Sequence, residues 1–245
     1  MSSHIKTKFK AFLKSGINKY RFVLSMPKIK KYKNKYKGQR CFIIGNGPSL
    51  KVSDLEKLKS EITFGSHGIY YIYDQTDWRP TFYCAQDAKF INQRSSLIKA
   101  NCKNVNFFGL VQNWYYPNLM NNSIKIKLIN DDFSNGYPVF SDNPLNGLYE
   151  GLTVTYFILQ LATYMGFNEM YLLGVDHFYA GGENDHFSKE DICTNIPETD
   201  KSTLAYQSAK MYAEHHNIKI YNATRGGHLE VFERVNFDDV LKEIK

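Results

Sequence analysis

Short apolar runs alternate with longer helical stretches along most of the chain. The runs that predict β-strands are rich in Ile, Val, Phe and Tyr, and they end at glycine or polar residues. They lie at residues 40–45, 61–65, 81–85, 104–108, 169–174 and 219–222. The helical stretches lie at residues 53–60, 151–165 and 206–215. This alternation predicts an α/β fold, Rossmann-like, with a mostly parallel sheet and helices on both of its faces.

The N-terminal stretch has a different pattern, in which basic and apolar residues interleave without any acidic residue. Twelve of the 31 Lys and Arg residues lie in residues 1–37, so the other 19 are outnumbered by the 24 acidic residues. The net charge of +7 therefore belongs to this arm, which argues against a nucleic-acid-binding core. Phe9, Phe12, Leu13 and Ile17 fall on one side of a helix, as in segments that lie on anionic membrane surfaces. A helix packed on its own domain and a solvated arm are the alternatives.

We divide the chain into a basic arm and linker, residues 1–38, and a single Rossmann-like domain, residues 39–245. Residues 27–39 are interpreted as the linker. The four cysteines are scattered without metal-ligand spacing, which predicts reduced thiols in a cytoplasmic protein. No apolar run is long enough to span a bilayer. We therefore expect a cytoplasmic protein that residues 1–37 hold at the inner face of the cell membrane.

The candidate chemistry lies where the predicted strands end, because ligands of an open parallel sheet bind beyond the carboxyl ends of its strands. The first strand runs into GNGPSL, where Gly45 and Gly47 permit a tight turn and Asn46 and Ser49 offer hydrogen-bonding groups. The third glycine of a dinucleotide fingerprint and the lysine of a P-loop are both missing. The other strand ends carry His67, Gln86, Asp87, Gly174, Asp176, His177 and Arg225. Each residue alone also has a structural reading, and it is their convergence that predicts a site.

Two loop residues are candidates for catalysis. His186 follows a Gly181-Gly182 pair and suits general-base work, since histidine titrates near neutrality; a plain surface position is the alternative. Arg225 suits clamping a phosphate or carboxylate, and a salt bridge inside its loop is the alternative. Asp131-Asp132 lacks the D-x-D spacing with which many nucleotide-sugar enzymes hold a divalent cation, so no metal site is predicted.

Several motifs in the same order resemble a known bacterial family. They are GNGPSL, FGSHGIYYIYDQTDWRPTFYCAQD, GLTVTYFILQLATYMGFNEMYLLGVDHFY, NDHFS and IYNATRGGHLEVFERVNFD. Together they resemble the 6-hydroxymethylpterin diphosphokinase-like family over about residues 39–240. The layout is more distantly similar to family 42 sialyltransferases and to the central domain of motility accessory factors. These resemblances imply a glycosyltransferase-A variant fold and a nucleotide donor, CMP linked to a nonulosonic acid, used without an essential metal.

The resemblance also implies roles for individual residues. Asn46, Gly47 and Ser49 would contact the donor nucleotide, while Gly174 and Asp176 would lie beneath its ribose. His67 and Gln86 stand where family 42 has asparagines, Thr153 aligns with a nucleotide-contacting threonine, and Phe178 or Tyr179 approximates its tyrosines. The motif with the family 42 catalytic histidine is not found here, and His186 takes its place from position and chemistry. The expected nucleotide contacts are Gly45, Asn46, Gly47, Pro48, Ser49, His67, Gln86, Asp87, Thr153, Thr155, Gly174 and Asp176.

The preferred prediction is an inverting glycosyltransferase that moves a sugar to a surface glycan or a lipid-linked acceptor. His186, or alternatively His177, would deprotonate the acceptor, and Arg225 with the GNGPS amides would stabilise the leaving phosphate. No cofactor is required by this prediction. The first alternative is magnesium-dependent pyrophosphoryl transfer from ATP to 6-hydroxymethyl-dihydropterin, with Asp87 and Asp176 holding the metal. The second is a non-catalytic, membrane-docked module that binds a nucleotide or glycan.

Overall fold

The fold is built around one parallel sheet. The computed structural model describes residues 22–86, 88–103, 105–111, 123–130, 133–134, 136–179, 185–188 and 198–242. Its strands are β1 (Arg40–Ile44), β2 (Thr63–Ser66), β3 (Phe82–Ala85), β4 (Asn106–Val111), β5 (Ile124–Ile129), β6 (Leu148–Tyr149), β7 (Glu169–Leu173), β8 (Lys219–Asn222) and β9 (Glu233–Arg234). Their order in the sheet is β6-β5-β4-β3-β2-β1-β7-β8-β9, and all the paired neighbours are parallel. The predicted α/β class and the parallel sheet are confirmed.

Helices cover both faces of this sheet. They are α1 (residues 22–30 as described), α2 (Val52–Lys57), α3 (Ala88–Gln93), α4 (Ser95–Asn101), α5 (Val154–Met165), α6 (Thr199–His215) and α7 (Phe237–Val240), with a 3-10 helix at His67–Ile72. In β1, Cys41 and Ile43 join the core beneath α1, α5 and α6. Phe42 and Ile44 join the core on the other face, beneath the remaining helices. A strand buried on both faces is apolar, as β1 is from Cys41 to Ile44.

Residues 22–38 belong to the packed structure. Phe22 and Ile29 are buried, and the rings of Tyr32 and Tyr36 contact Phe82 with centroids 5.9 and 5.8 Å away. Backbone amides of this segment also donate to carbonyls at the end of α5. The stretch interpreted as a linker is therefore mostly a helix and turns laid on the sheet, which matches the self-packing alternative for this part. The rest of the arm, residues 1–21, lies outside the described residues.

The order of strands in the sheet changes direction at the boundary between β1 and β7. From β1 the chain moves outward strand by strand to β6, and then it returns to place β7 on the other side of β1. The carboxyl ends of β1 and β7 therefore diverge into different connections. Such a switch point leaves a crevice at the strand ends, which is where open α/β sheets bind ligands.

Two further expectations concern the thiols and the membrane. Cys41, Cys84 and Cys102 are buried free thiols, and burial raises the pKa of each, that of Cys102 to about 12. Cys193 lies outside the described residues. Among the described helices, none combines the length and apolar character needed to cross a bilayer.

Candidate functional site

A pocket opens at the switch point between β1 and β7. Four parts of the chain line it: the loop after β1, the end of β2, the start of α5, and the loops that follow β7, with one side chain from α6. We call this the switch-point pocket, and its lining is residues 45–47, Ser66, His67, residues 153–155, residues 174–179, Asp185, His186 and Tyr206. The structure therefore brings together residues that the sequence placed on five separate segments.

The two glycines of the GNG loop are required by the close approach of β7. The Gly45 amide donates to the last carbonyl of β7 at 2.8 Å, and the Gly47 amide donates to the Gly174 carbonyl at 2.9 Å. A Cβ on Gly45 would overlap the Gly174 carbonyl, and one on Gly47 would overlap the Asp176 carboxylate. The Ser49 hydroxyl in turn donates to that carboxylate at 2.7 Å. These groups, assigned from sequence to a phosphate, thus have partners within the protein.

Asn46 is the residue of this loop that offers a free hydrogen-bonding atom. Its Nδ2 donates to the Ser66 carbonyl at 3.0 Å, and its backbone carbonyl accepts from the Phe187 amide at 2.8 Å. Its Oδ1 is buried and has no partner within the described structure. Because buried polar atoms are nearly always hydrogen-bonded, this oxygen is suited to a ligand donor.

The N-terminus of α5 supplies the electropositive side of the pocket. Thr153 caps this 12-residue helix, its Oγ1 accepting from the Thr155 amide at 3.4 Å. The Tyr206 hydroxyl lies 3.4 Å from the same Thr153 oxygen, and burial raises the pKa of Tyr206, which keeps it protonated. The first-turn amides and the helix dipole favour an anion here. The amides of Thr155 and Tyr156 already donate to Thr153, so the helix dipole and the Val154 amide are what α5 offers to a phosphate.

Asp176 lines the pocket just after the end of β7. Burial raises the pKa of its carboxyl group, and the hydrogen bond from Ser49 lowers it in part. Its backbone carbonyl accepts from the His228 amide at 2.7 Å, and Gly227 approaches its backbone too closely for a Cβ. The loop after β8 therefore holds Asp176 from behind, and its carboxylate is positioned to accept from ligand hydroxyls.

His177 has the environment of a general base. Burial lowers its pKa, and the nearby Asp200 opposes that shift. Its Nε2 lies 2.7 Å from the Thr203 hydroxyl, which itself donates to the Thr199 carbonyl at 2.8 Å. With the Thr203 hydroxyl hydrogen on the Thr199 carbonyl, Nε2–H donates to Thr203 and Nδ1 is the basic nitrogen of the neutral ring; the opposite tautomer places the proton on Nδ1. A positive φ of 54° fixes this residue in an uncommon backbone conformation.

The other candidate histidines also line the pocket. His186 belongs to the loop that the Phe187 amide ties to Asn46, and its ring lies 6.2 Å from that of Tyr179. His67 donates from Nε2 to the Gln86 carbonyl at 3.0 Å, a bond that joins the ends of β2 and β3.

Three of the predicted nucleotide contacts do not line the pocket. Gln86 is buried but does not line the pocket, and neither Pro48 nor Ser49 lines it. Asp87 and the Asp131-Asp132 pair lie outside the described residues.

Arg225 does not line the switch-point pocket. Its guanidinium donates to both oxygens of Asp54, at 2.8 and 2.9 Å, and to Asp238 at 2.8 Å. The Asp54 side chain is 2% exposed, so its charge depends on this bidentate pairing. The salt-bridge alternative thus describes Arg225, and a role at the leaving phosphate finds no geometric support.

Sequence reasoning missed Ser66, Asp185 and Tyr206. Tyr206 lies within a predicted helix, and only tertiary packing reveals that it meets Thr153. Asp185 is a buried carboxylate beside His186. Within the described residues, no group of three or more His, Cys, Asp or Glu side chains is arranged to hold a metal ion.

The fold is that of a Rossmann-like α/β protein, and the pocket at its switch point is the candidate ligand site. The family of 6-hydroxymethylpterin diphosphokinase MptE-like proteins matches residues 14–182, and the chain belongs to that family. The match begins before α1 and ends before the loop of His186 and α6. A comparison with curated proteins gives no match.

Proposed function

We propose that the protein is a nucleotide-dependent transferase, and specifically a glycosyltransferase whose donor binds in the switch-point pocket. The observation that carries the proposal is the meeting of three complementary groups at the ends of β1 and β7. The α5 N-terminus suits a phosphate, the Asp176 carboxylate suits ribose hydroxyls, and the unpartnered Asn46 Oδ1 suits a further donor. The identity of the donor as CMP linked to a nonulosonic acid rests on the family resemblance.

In the proposed reaction an acceptor hydroxyl attacks the anomeric carbon of the donor sugar. The new carbon–oxygen bond forms as the bond to the leaving phosphate breaks, so the configuration inverts. His177 Nδ1 takes the acceptor proton, because burial keeps the ring neutral. The α5 amides and the Tyr206 hydroxyl stabilise the negative charge that develops on the phosphate. His186 is the second candidate for the base.

A second candidate function is pyrophosphoryl transfer from ATP to a hydroxymethylpterin. The family description favours it, and the carboxylates of Asp176 and Asp185 both line the pocket. Carboxylate oxygens are the ligands that magnesium prefers, and the metal would neutralise charge on the transferred phosphates. Strict dependence on a divalent cation together with the pterin is the mark of this function.

Nucleotide release tests both functions in one experiment. The purified protein is incubated with CMP-, UDP- and GDP-sugars, and separately with ATP and 6-hydroxymethyl-dihydropterin, each with and without magnesium. Release of CMP, UDP or GDP from one of the donors supports the glycosyltransferase function, provided that it is lost in His177→Ala and kept in Lys201→Gln. AMP release that needs both pterin and magnesium establishes the diphosphokinase instead. Binding of a donor without turnover of any donor would favour the non-catalytic module.

We also propose that the basic layer formed by residues 22–38 contacts an anionic membrane surface. It carries six lysines and no acidic residue. Its buried side packs on the sheet, so the outward side presents Lys30, Lys31 and Lys33 together with the exposed Val23 and Leu24. Such a surface suits an enzyme whose acceptor is linked to lipid.

A further inference from the structure

A second cleft adjoins the switch-point pocket. One wall is a face of α6 that carries Thr203, Gln207 and Lys210, spaced by four and three residues. The other wall is residues 228–231, and His177 stands at the end that meets the pocket. We call this the α6 cleft. Its volume of about 410 Å³ lies within the range of small-molecule sites, about 300–1,000 Å³.

We propose that the α6 cleft binds the acceptor, and that the acceptor group is a polyhydroxylated sugar with little net charge. The proposal rests on the proposed function, because it completes a two-substrate site. His177 lines both cavities, so a hydroxyl group bound in the cleft can reach the base while the donor lies in the switch-point pocket. A base at the junction of two cavities is what transfer between two bound substrates requires.

The lining of the cleft matches the surface of a sugar. Gln207, Lys210 and His228 offer hydrogen-bond donors, and Gln207 and Glu230 offer acceptors, so hydroxyl groups can be bound from several directions. Val231 adds an apolar surface for the C–H side of a sugar ring.

The charges around the cleft are close to balanced. Lys210 lies 4.0 Å from Glu214, and Glu230 accepts from Arg234 at 2.6 Å. An anionic ligand would meet the Glu230 carboxylate, and a cationic ligand would meet Lys210. Neutral hydroxyl groups therefore fit this lining better than a strongly charged acceptor.

An aromatic side chain stands at the border between the two cavities. Phe178 is 54% exposed, lines the switch-point pocket, and has its ring 4.8 Å from that of His228 in the cleft wall. An exposed ring of this kind provides an apolar face for a sugar that extends from the cleft toward the donor. The only aromatic rings among the described residues that line the cleft itself are those of His177 and His228, which favours a sugar over a flat heterocycle.

The first test measures direct binding of neutral methyl glycosides, detected by saturation-transfer difference NMR. The probes are methyl β-glucopyranoside, methyl β-galactopyranoside and methyl N-acetyl-β-glucosaminide, with 6-hydroxymethylpterin as a competitor. We expect at least one glycoside to bind, and Gln207→Ala and Lys210→Gln to weaken its binding by about fivefold or more. Lys201→Gln is the matched control, because both lysines lie on α6, are 49% exposed and lie beside a glutamate.

Each outcome of this experiment decides for or against the cleft. No glycoside binding, equal binding in both cleft variants, or displacement by the pterin would overturn the proposal. Turnover of the nucleotide sugar in the presence of the glycoside tests the cleft proposal separately from the proposed function. The cleft variants should raise the KM for the glycoside about tenfold more than they raise the KM for the nucleotide sugar. Nucleotide release in which the two KM values change equally would overturn the cleft proposal alone. Glycoside binding with no nucleotide release from any donor overturns the proposed function alone.

Discussion

The burial of His177 sets the pH dependence that we expect of the reaction. The neutral ring is the base, and its lowered pKa moves the acid limb of the rate profile below the ordinary histidine value of about 6.5. Asp200 opposes that shift, so Asp200→Asn should move the acid limb to still lower pH. The measurement is kcat/KM between about pH 5 and 8, the range in which histidine changes charge. Asp239→Asn, an exposed aspartate on α7, is the control, and an acid limb that stays in place or rises contradicts the assignment.

The same pKa gives a stability prediction of defined sign. A folded-state pKa below the unfolded value means that the unfolded chain binds more protons, so the His177 contribution to stability is lost as the pH falls through about 6.5. His177→Gln removes this proton linkage. We therefore expect urea midpoints of the variant to depend less on pH between about 5 and 7 than those of the unmodified protein.

Gly47 and Asp176 should show strong coupling. A Cβ on Gly47 would push the Asp176 carboxylate from its position, and overpacking of this kind costs about 1–3 kcal/mol. In an Asp176→Gly background the main obstacle is gone, so Gly47→Ala should cost clearly less. Urea unfolding of the two single variants and the double variant measures the difference. Additive effects would show that the glycine is not required by this contact.

Sequence alone was informative about which residue types line the pocket, and less so about what each one does. Glycine and asparagine after β1 and Asp176 after β7 were predicted, because strand ends of a parallel sheet share one edge. Arg225 stands in the same chemical context, yet it pairs with Asp54, which is 171 residues away in the sequence. Tyr206 comes from α6, and no local pattern marks it. Partners remote in the chain decide these roles.

At the scale of elements, the ion pairs of Arg225 hold together α2, α7 and the loop after β8. Removing the guanidinium leaves the Asp54 carboxylate buried and unpaired, a change that costs about 3 kcal/mol. Arg225→Ala should therefore lower the free energy of unfolding by about that amount while nucleotide release at low temperature stays close to normal. Asp54→Asn added to Arg225→Ala should recover part of the loss. A large fall in turnover of the folded variant would instead give Arg225 a role in the reaction.

Element boundaries illustrate which signals a sequence carries. β7 and β8 were predicted within one residue, because their β-prone runs are bounded by turn residues. β5 was missed although its apolar residues alternate with lysine, a period of two that was readable. α6 begins at Thr199 rather than residue 206, because its first turns are polar and gain their packing from tertiary contacts. Helix propensity alone is a weak guide to where a helix begins when only one face of the helix is buried.

At the scale of the molecule, the topology creates the site. The order of strands places β7 beside β1, although 125 residues separate Ile44 from Glu169 and five strands intervene. Hydrophobic patterning predicts strands but not their order, so the position of the switch point was not available from it. The α6 cleft depends on the same topology, because β7 carries His177 to the wall of α6.

The packed position of residues 22–38 changes how membrane binding must be tested. Deleting residues 1–37 would strip Phe22 and Ile29 from the core, so loss of vesicle binding would report unfolding as much as lost contact. Charge neutralisation in the full chain avoids this, and the triple variant Lys30→Gln, Lys31→Gln, Lys33→Gln changes only exposed side chains. Near an anionic surface each lysine contributes about 1 kcal/mol, so vesicle affinity should fall on the order of a hundredfold.

The control variant has the same net charge as the test variant. Lys51→Gln, Lys99→Gln and Lys219→Gln remove the same three charges from exposed positions outside the basic layer. Co-sedimentation with phosphatidylglycerol vesicles should then show normal binding for the control and weak binding for the test variant, and added salt should weaken the unmodified protein in the same direction. Equal losses in both variants would mean that overall charge attracts the protein to the membrane. A specific loss in the first variant would assign the membrane contact to the basic layer itself.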